Sequence, residues 1–270
     1  MFSVLMAGTL AISVTTSAAP YRVDPPTDLV MTGGMLALAG IEELATQSSL
    51  RGGSTCPLAP GGNYCDKSKL LPIDRSVVGN HSAAWRNVSD IGQYAAFSVP
   101  VLATSLDAWL SESDTPVADA ATETLVMAEA MAATTLVTGI FKLAVRRARP
   151  AQYVPGRADG SIWQDVSFLS GHSSAAATAG TAYATTFWLN HPDSPARFLV
   201  VGAAVALAGV TGYGRIAAGE HFYTDVLAGF VLGGTIGWLV PQWHRADTTP
   251  ALSLAVLPSG GATITYHRSL

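Results

Sequence analysis

The chain has 270 residues, of which 49% are apolar and only 13% charged, about half the charged share of an average soluble protein. This length allows one large or two small domains, and the abundance of Gly, Ala and Thr favours closely packed helices in a membrane or a tight bundle. The net charge of −4 argues against a nucleic-acid partner, since such proteins carry an excess of basic residues.

Residues 1–19 are apolar and end in Thr-Thr-Ser-Ala-Ala, which is typical of a secretory signal peptide and its small-residue cleavage site. An uncleaved membrane anchor is the alternative. In an exported protein, Cys56 and Cys65 are expected to form a disulfide rather than to remain two free thiols. The sequence therefore predicts an exported protein.

Six helices are predicted after this segment. Asp28 is expected to cap the first, which runs to about residue 45, and a long irregular loop with both cysteines follows over residues 47–90. Polar side chains of this loop, Asp74 and Arg86 among them, could together cover a site, but each by itself is interpreted as a solvated surface residue. The other five helices are expected at residues 91–109, 119–145, 172–190, 197–213 and 222–240, because these segments are rich in Ala, Leu and Met and too long for ordinary strands.

The last part of the chain has a different pattern. Residues 251–256 and 262–266 flank the turn sequence Pro-Ser-Gly-Gly, which predicts a β-hairpin. The expected organisation is a signal peptide over 1–19, an all-α helical bundle over 20–245 and a hairpin or tail over 246–270.

Two segments, 173–190 and 198–214, carry no formal charge and approach the length that spans a bilayer. Trp109, Trp188 and Trp238 fall at segment ends, as aromatic residues at membrane interfaces do. These features favour a membrane-associated bundle, and a soluble periplasmic bundle is the alternative. The sequence does not predict an oligomeric state.

Polar residues of three motifs fall at helix ends, within Lys142–Pro150, Ser167–Ser173 and Gly214–Asp225. In an up-and-down bundle all three lie at the same end. Arginine and lysine suit phosphate, and histidine serves as a nucleophile or proton carrier near neutral pH. His221 and Asp225 are four residues apart, so a helix beginning near His221 would let the carboxylate hold one ring nitrogen.

These motifs resemble the signature of the type 2 phosphatidic acid phosphatase and vanadium haloperoxidase superfamily: Lys-x6-Arg-Pro, Pro-Ser-Gly-His and Ser-Arg-x5-His-x3-Asp. Residues 142–150 match in full, 169–172 match except for Leu169 in place of Pro, and 214–225 match except for Gly214 in place of Ser. The resemblance implies a helical fold of the acid phosphatase and haloperoxidase type.

The resemblance also implies a mechanism. His221 is the expected nucleophile that forms a phosphohistidine, Asp225 orients it, and His172 is the general acid and then the general base. Further residues are implied to bind the substrate phosphate: Lys142, Arg149, Ser170, Gly171 and Arg215. No metal or other cofactor is implied, because the protein itself supplies the cations. Arg146 and Arg147 are expected to be solvated or to face lipid.

The resulting hypothesis is a phosphatase of the cell envelope that acts on phosphate monoesters or diphosphates, with lipid phosphates as the expected substrates and the site facing the periplasm. A soluble acid phosphatase is a close variant. The alternatives are a vanadate-dependent haloperoxidase and a non-catalytic membrane bundle with an inert site.

Overall fold

The computed structural model describes residues 20–49, 54–111, 113–156, 166–246, 251–256 and 262–267. The expected signal peptide lies outside these residues. Seven α-helices occur in the described part of the chain: α1 (Pro25–Ser49), α2 (Pro72–Arg75), α3 (Ala83–Leu110), α4 (Pro116–Val145), α5 (Gly171–Asn190), α6 (Ala196–Ala217) and α7 (Tyr223–His244). Short 3-10 turns at Lys67–Lys69 and Pro150–Tyr153 lie in the connections. The six long helices correspond to the six expected ones.

Two predicted helix starts were wrong. Helix α1 begins at Pro25, and Asp28 lies in its first turn, where its carboxylate accepts the Asp24 N–H at 2.8 Å. Helix α3 begins at Ala83 behind the cap Ser82 and therefore includes residues assigned to the irregular loop. Sequence periodicity did not indicate this start, because residues 83–88 are exposed and Ser89 and Asp90 contact polar groups instead of an apolar core.

Helix α5 is the central helix, and its Ala-, Ser- and Thr-rich surface is buried over most of its length. Glycines of α7 allow the two helices to pack closely. A Cβ atom at Gly233 would lie 2.1 Å from the Ser174 carbonyl oxygen, and one at Gly237 would lie 2.4 Å from that of Thr178. These glycines are four residues apart on one face of α7, an arrangement that lets helix backbones approach each other. Residues 173–190 were expected to approach the length of a membrane-spanning helix. In the structure, the surrounding helices enclose α5 over most of its length.

Helices α4, α6 and α7 are long and apolar enough to cross a membrane. Large apolar side chains also point outward on the bundle surface, such as Leu199 and Val231, which are 75% and 71% exposed. Extensive exposed apolar surface is typical of a face that meets lipid. The protein is therefore membrane-associated. Trp109 and Trp188 lie within two residues of the ends of α3 and α5, Trp238 lies six residues before the end of α7, and all three are exposed.

A disulfide and backbone hydrogen bonds hold the segment before α3 at one end of the bundle. Cys56 and Cys65 form the expected disulfide. The Cys65 N–H donates to the Gln152 carbonyl at 2.9 Å, and the Thr55 N–H donates to the Arg146 carbonyl at 2.9 Å. The disulfide loop is thus fastened to the segment that follows α4.

Two strands follow the helices in sequence. β1 (Ala251–Val256) and β2 (Ala262–His267) pair antiparallel, with Ala251 opposite His267 and Val256 opposite Ala262. The turn between them lies outside the described residues.

Candidate active site

The three polar motifs meet at one end of the bundle, as expected. Gly219 ends α6 with a φ of +71°, and a Cβ atom there would lie 2.0 Å from the Asn80 carbonyl oxygen. Only glycine satisfies both the left-handed backbone and this close approach. The sharp turn at Gly219 delivers Glu220 and His221 to the space between α5 and α7.

His221 is buried and held through one ring nitrogen. Its Nδ1 lies 2.8 Å from the Ser167 carbonyl oxygen, so the N–H on Nδ1 donates to this carbonyl and Nε2 is left unprotonated. Burial, reinforced by Arg149, Arg215 and Lys142, holds the pKa of His221 well below its usual value. The imidazole is therefore uncharged at neutral pH, the form that a nucleophile requires.

The expected direct contact between Asp225 and His221 is replaced by an indirect one. His221 precedes α7, so it does not share a helix face with Asp225, and the Nδ1 to Oδ2 distance is 4.0 Å. Asp225 instead accepts the Ser167 hydroxyl at 2.5 Å and the Phe222 N–H at 2.9 Å. Asp225 is therefore connected to the histidine through Ser167, whose own carbonyl contacts the imidazole.

Arg147 and Asp74 belong to this network, although both were expected to lie on the surface. Arg147 donates to Asp225 at 2.6 Å and to Asp74 at 2.8 Å, and its guanidinium lies 4.2 Å from the centre of the Phe222 ring. Asp74 is fully buried and also accepts the Thr224 hydroxyl at 2.7 Å. The expectation that Arg147 is solvated or faces lipid was wrong, because two buried carboxylates hold it inside the bundle.

His172, the second residue of α5, points to a carboxylate that the motifs did not indicate. Its Nε2 lies 2.9 Å from Asp90 Oδ1, and the same oxygen accepts Arg215 Nη1 at 3.1 Å. Burial and the nearby Arg215 lower the pKa of His172 to about 4, against the opposing effect of Asp90. His172 is therefore uncharged at neutral pH in this arrangement.

Glu220 joins the cations expected to bind phosphate. Its carboxylate pairs with Arg149, with Arg215 at 3.4 Å and with Arg86 of α3 at 2.7 Å. The sequence analysis did not assign Glu220 or Asp90 to the site, and it interpreted Arg86 as a solvated surface residue. One feature of the sequence could have indicated that α3 contributes to the site: Arg86 and Asp90 are four residues apart and so share one helix face. The site is thus an arginine-rich cradle in which a carboxylate of the protein already lies.

Three other motif positions have clear local roles. The Ser170 hydroxyl is fully buried, caps α5 by accepting the Ser173 N–H at 3.4 Å, and contacts the Ser173 hydroxyl at 2.8 Å. Gly171 adjoins Lys142, whose Nζ would lie 3.7 Å from a Cβ atom at this glycine. Gly214 replaces the usual serine because a Cβ atom there would lie 2.8 Å from Ser89 Cβ.

Residues 123–249 match the PAP2 superfamily. This part of the chain is therefore similar to that superfamily. The match begins within α4 and ends before β1, so it covers all three motifs but gives no support to the hairpin as part of the family fold. This match and the assembled site together indicate a phosphoric ester hydrolase.

Two solved structures resemble the chain. One is a transmembrane PAP2-type phosphatidylglycerolphosphate phosphatase from Bacillus subtilis, with 22% identity, a TM-score of 0.47, and coverage of 80% of this chain and 94% of that one. The other is LpxE from Aquifex aeolicus, with 19% identity, a TM-score of 0.41, and coverage of 62% of this chain and 92% of that one.

The Arg147 network predicts a large loss of stability when the guanidinium is removed. Arg147→Met leaves Asp74 and Asp225 as unpaired buried carboxylates, which should cost about 3–5 kcal/mol of unfolding free energy. Thermal unfolding in detergent measures this loss. The double variant Arg147→Met/Asp74→Asn should recover part of it, and a single variant as stable as the wild type would contradict the assignment.

The position of Glu220 predicts that its carboxylate competes with bound anions for the arginine side chains. Glu220→Gln should tighten binding of orthovanadate and inorganic phosphate by roughly tenfold, because it removes a negative charge that lies against the same arginines. Binding is measured by calorimetry, with Asp107→Asn as a charge-matched control away from the site. Weaker anion binding in Glu220→Gln would show instead that the carboxylate serves to orient the arginines.

Proposed function

We propose that this protein is a lipid phosphate phosphatase whose reaction passes through a phosphohistidine on His221 and draws its positive charge from the protein rather than from a metal. The observation that carries this proposal is the buried, uncharged imidazole of His221, fixed at Nδ1 by Ser167 and adjoined by Lys142, Arg149 and Arg215. A neutral nucleophile among fixed cations is what attack on a phosphoryl group requires.

In the first step, Nε2 of His221 attacks phosphorus while the bond from phosphorus to the ester oxygen breaks. His172 donates a proton to the leaving oxygen, which departs as an alcohol. The phosphorylated imidazole is cationic, and Asp225, 4.0 Å from Nδ1, stabilises that charge together with the Ser167 contacts. In the second step a water molecule gives a proton to His172 and attacks phosphorus, releasing inorganic phosphate and restoring His221.

His172 must gain a proton before it can act as an acid. Its pKa of about 4 results mainly from burial and the positive field of Arg215. A bound phosphate anion offsets that field and so raises the pKa of His172 in the complex. The leaving oxygen then takes the place at Nε2 that Asp90 holds in the free protein.

The proposed substrate class rests on the membrane-facing surface. Helices α4, α6 and α7 can span a bilayer and they begin or end at the active site, so the site lies at the level where a lipid headgroup meets water. The proposal covers phosphate monoesters and diphosphates carried by a lipid.

The proposed orientation rests on the disulfide. The Cys56–Cys65 loop is bonded to the segment that carries Arg147 and Arg149, so the disulfide and the active site lie at the same end of the bundle. Disulfides persist in oxidising compartments. This supports an active site that faces the periplasm.

Phosphate release from a lipid phosphate in mixed micelles, compared with release from p-nitrophenyl phosphate, tests the function. We expect the wild type to hydrolyse the lipid substrate with and without EDTA, and His221→Ala to lose turnover by at least about a thousandfold. His191→Ala, a histidine at the other end of α5, is the matched control. Full activity in His221→Ala would contradict the mechanism, and vanadate-dependent halide oxidation without phosphate release would favour the haloperoxidase.

The role of His172 is tested by the leaving group. His172→Ala should slow release from an alkyl phosphate far more than from p-nitrophenyl phosphate, because only the poor leaving group needs protonation. The ratio of kcat/KM for the two substrates measures this effect, because kcat/KM reports the step in which the alcohol leaves and excludes the dephosphorylation step that both substrates share. An equal loss on both substrates would show that His172 does not act as the general acid.

A further inference from the structure

A second cluster of ligating side chains lies away from the active site, where three helices meet. Asp28 of α1, Glu129 of α4 and His244 of α7 each offer an oxygen or nitrogen atom, and these atoms all lie within 4.8 Å of one another. The three residues are only 7%, 8% and 7% exposed. Glu129 lies 13 positions before Lys142 on α4, about 20 Å along the helix. The cluster is therefore separate from the catalytic motifs.

The orientation of the His244 ring is the one that metal-bound histidines adopt. Its Nδ1 lies 3.2 Å from the Arg22 carbonyl oxygen, and its Nε2 lies 2.8 Å from Glu129 Oε2. When Nδ1–H donates to the carbonyl, the lone pair of Nε2 points toward the carboxylates. Metal-ligating histidines almost always use the other ring N–H in this way.

The carboxylate of Asp28 is oriented as well. Its Oδ2 accepts the Asp24 N–H at 2.8 Å, which fixes the side chain in the first turn of α1. Thr32 lies one turn further on the same face of α1, and its buried hydroxyl has no hydrogen-bond partner among the described residues. A metal-bound water would supply such a partner.

Charge balance also favours a cation. Two carboxylates face one imidazole in this cluster, so even a protonated His244 leaves a net charge of −1 among buried groups. Uncompensated buried charge is costly. One divalent cation with a neutral imidazole brings the sum to zero.

We propose that Asp28, Glu129 and His244 bind one divalent transition-metal ion, and that this ion is zinc. One imidazole and two carboxylates, with a water in the fourth position, suit tetrahedral zinc, whereas magnesium and calcium prefer oxygen ligands alone. The ion joins α1 and the segment before it to the end of α7. Two backbone bonds already begin this connection: the Arg22 N–H donates to the His244 carbonyl at 2.7 Å, and the Ala246 N–H donates to the Pro20 carbonyl at 2.9 Å. The role is structural and independent of the phosphatase reaction.

Zinc content and thermal unfolding of the full chain in detergent test this site. After removal of metal with a chelator and dialysis, the wild type should take up about one zinc per chain from added zinc chloride, and the unfolding temperature should rise by several degrees. Glu129→Gln and His244→Asn should each lose the zinc and the shift.

Two controls locate the ion. His191→Asn changes a histidine that also pairs with a carboxylate, Asp107 at 2.9 Å, and should retain both the zinc and the shift. His221→Ala should retain them too, which separates this site from the active site. A wild-type protein that takes up no zinc and shows no shift overturns the proposal, and so does zinc retained in both Glu129→Gln and His244→Asn.

Discussion

The active site depends on one buried ion pair network, in which Arg147 lies between Asp74 and Asp225. The two carboxylates come from distant parts of the chain and would repel each other without the guanidinium. Arg147 therefore joins α2 to the start of α7. Because Asp225 also accepts the Ser167 hydroxyl, this pairing determines where the carbonyl that holds His221 lies.

The cations of the site present a second electrostatic problem. Lys142, Arg149 and Arg215 are close enough to lower the pKa of His221, and like charges at such distances destabilise the fold. Glu220 and Asp90 relieve this repulsion in the free protein by pairing with the arginines. In the proposed reaction, a phosphate competes with these carboxylates for the same donors. Under that proposal the pairing lowers the affinity for phosphate and stabilises the empty site, which would favour release of the product phosphate.

The sequence was sufficient to predict the six long helices and the meeting of the three motifs, because both follow from local patterns: apolar composition for helices and fixed spacing for the polar residues. It was insufficient for Arg147, Asp74 and Asp90. Each of these acts through a partner far away in the chain, and a charged residue beside a motif has the same local pattern whether it is solvated or buried against a carboxylate. The Asp225 contact was misjudged for a related reason, since the exact start of α7 decides whether His221 lies on the helix.

The glycine at position 214, where the family signature has serine, is explained by the packing of α3 against α6. A serine at position 214 would bring its Cβ atom within 2.8 Å of Ser89 Cβ, so α3 could not approach α6 as closely. That approach is what carries Asp90 to His172 and Arg215. Gly214 and Asp90 are therefore two parts of one arrangement: the smaller residue in the motif makes room for a helix, and the helix supplies a carboxylate that the motif lacks. A serine at position 214 would accordingly disturb His172 more than His221, whose contacts come from Ser167 and the start of α7.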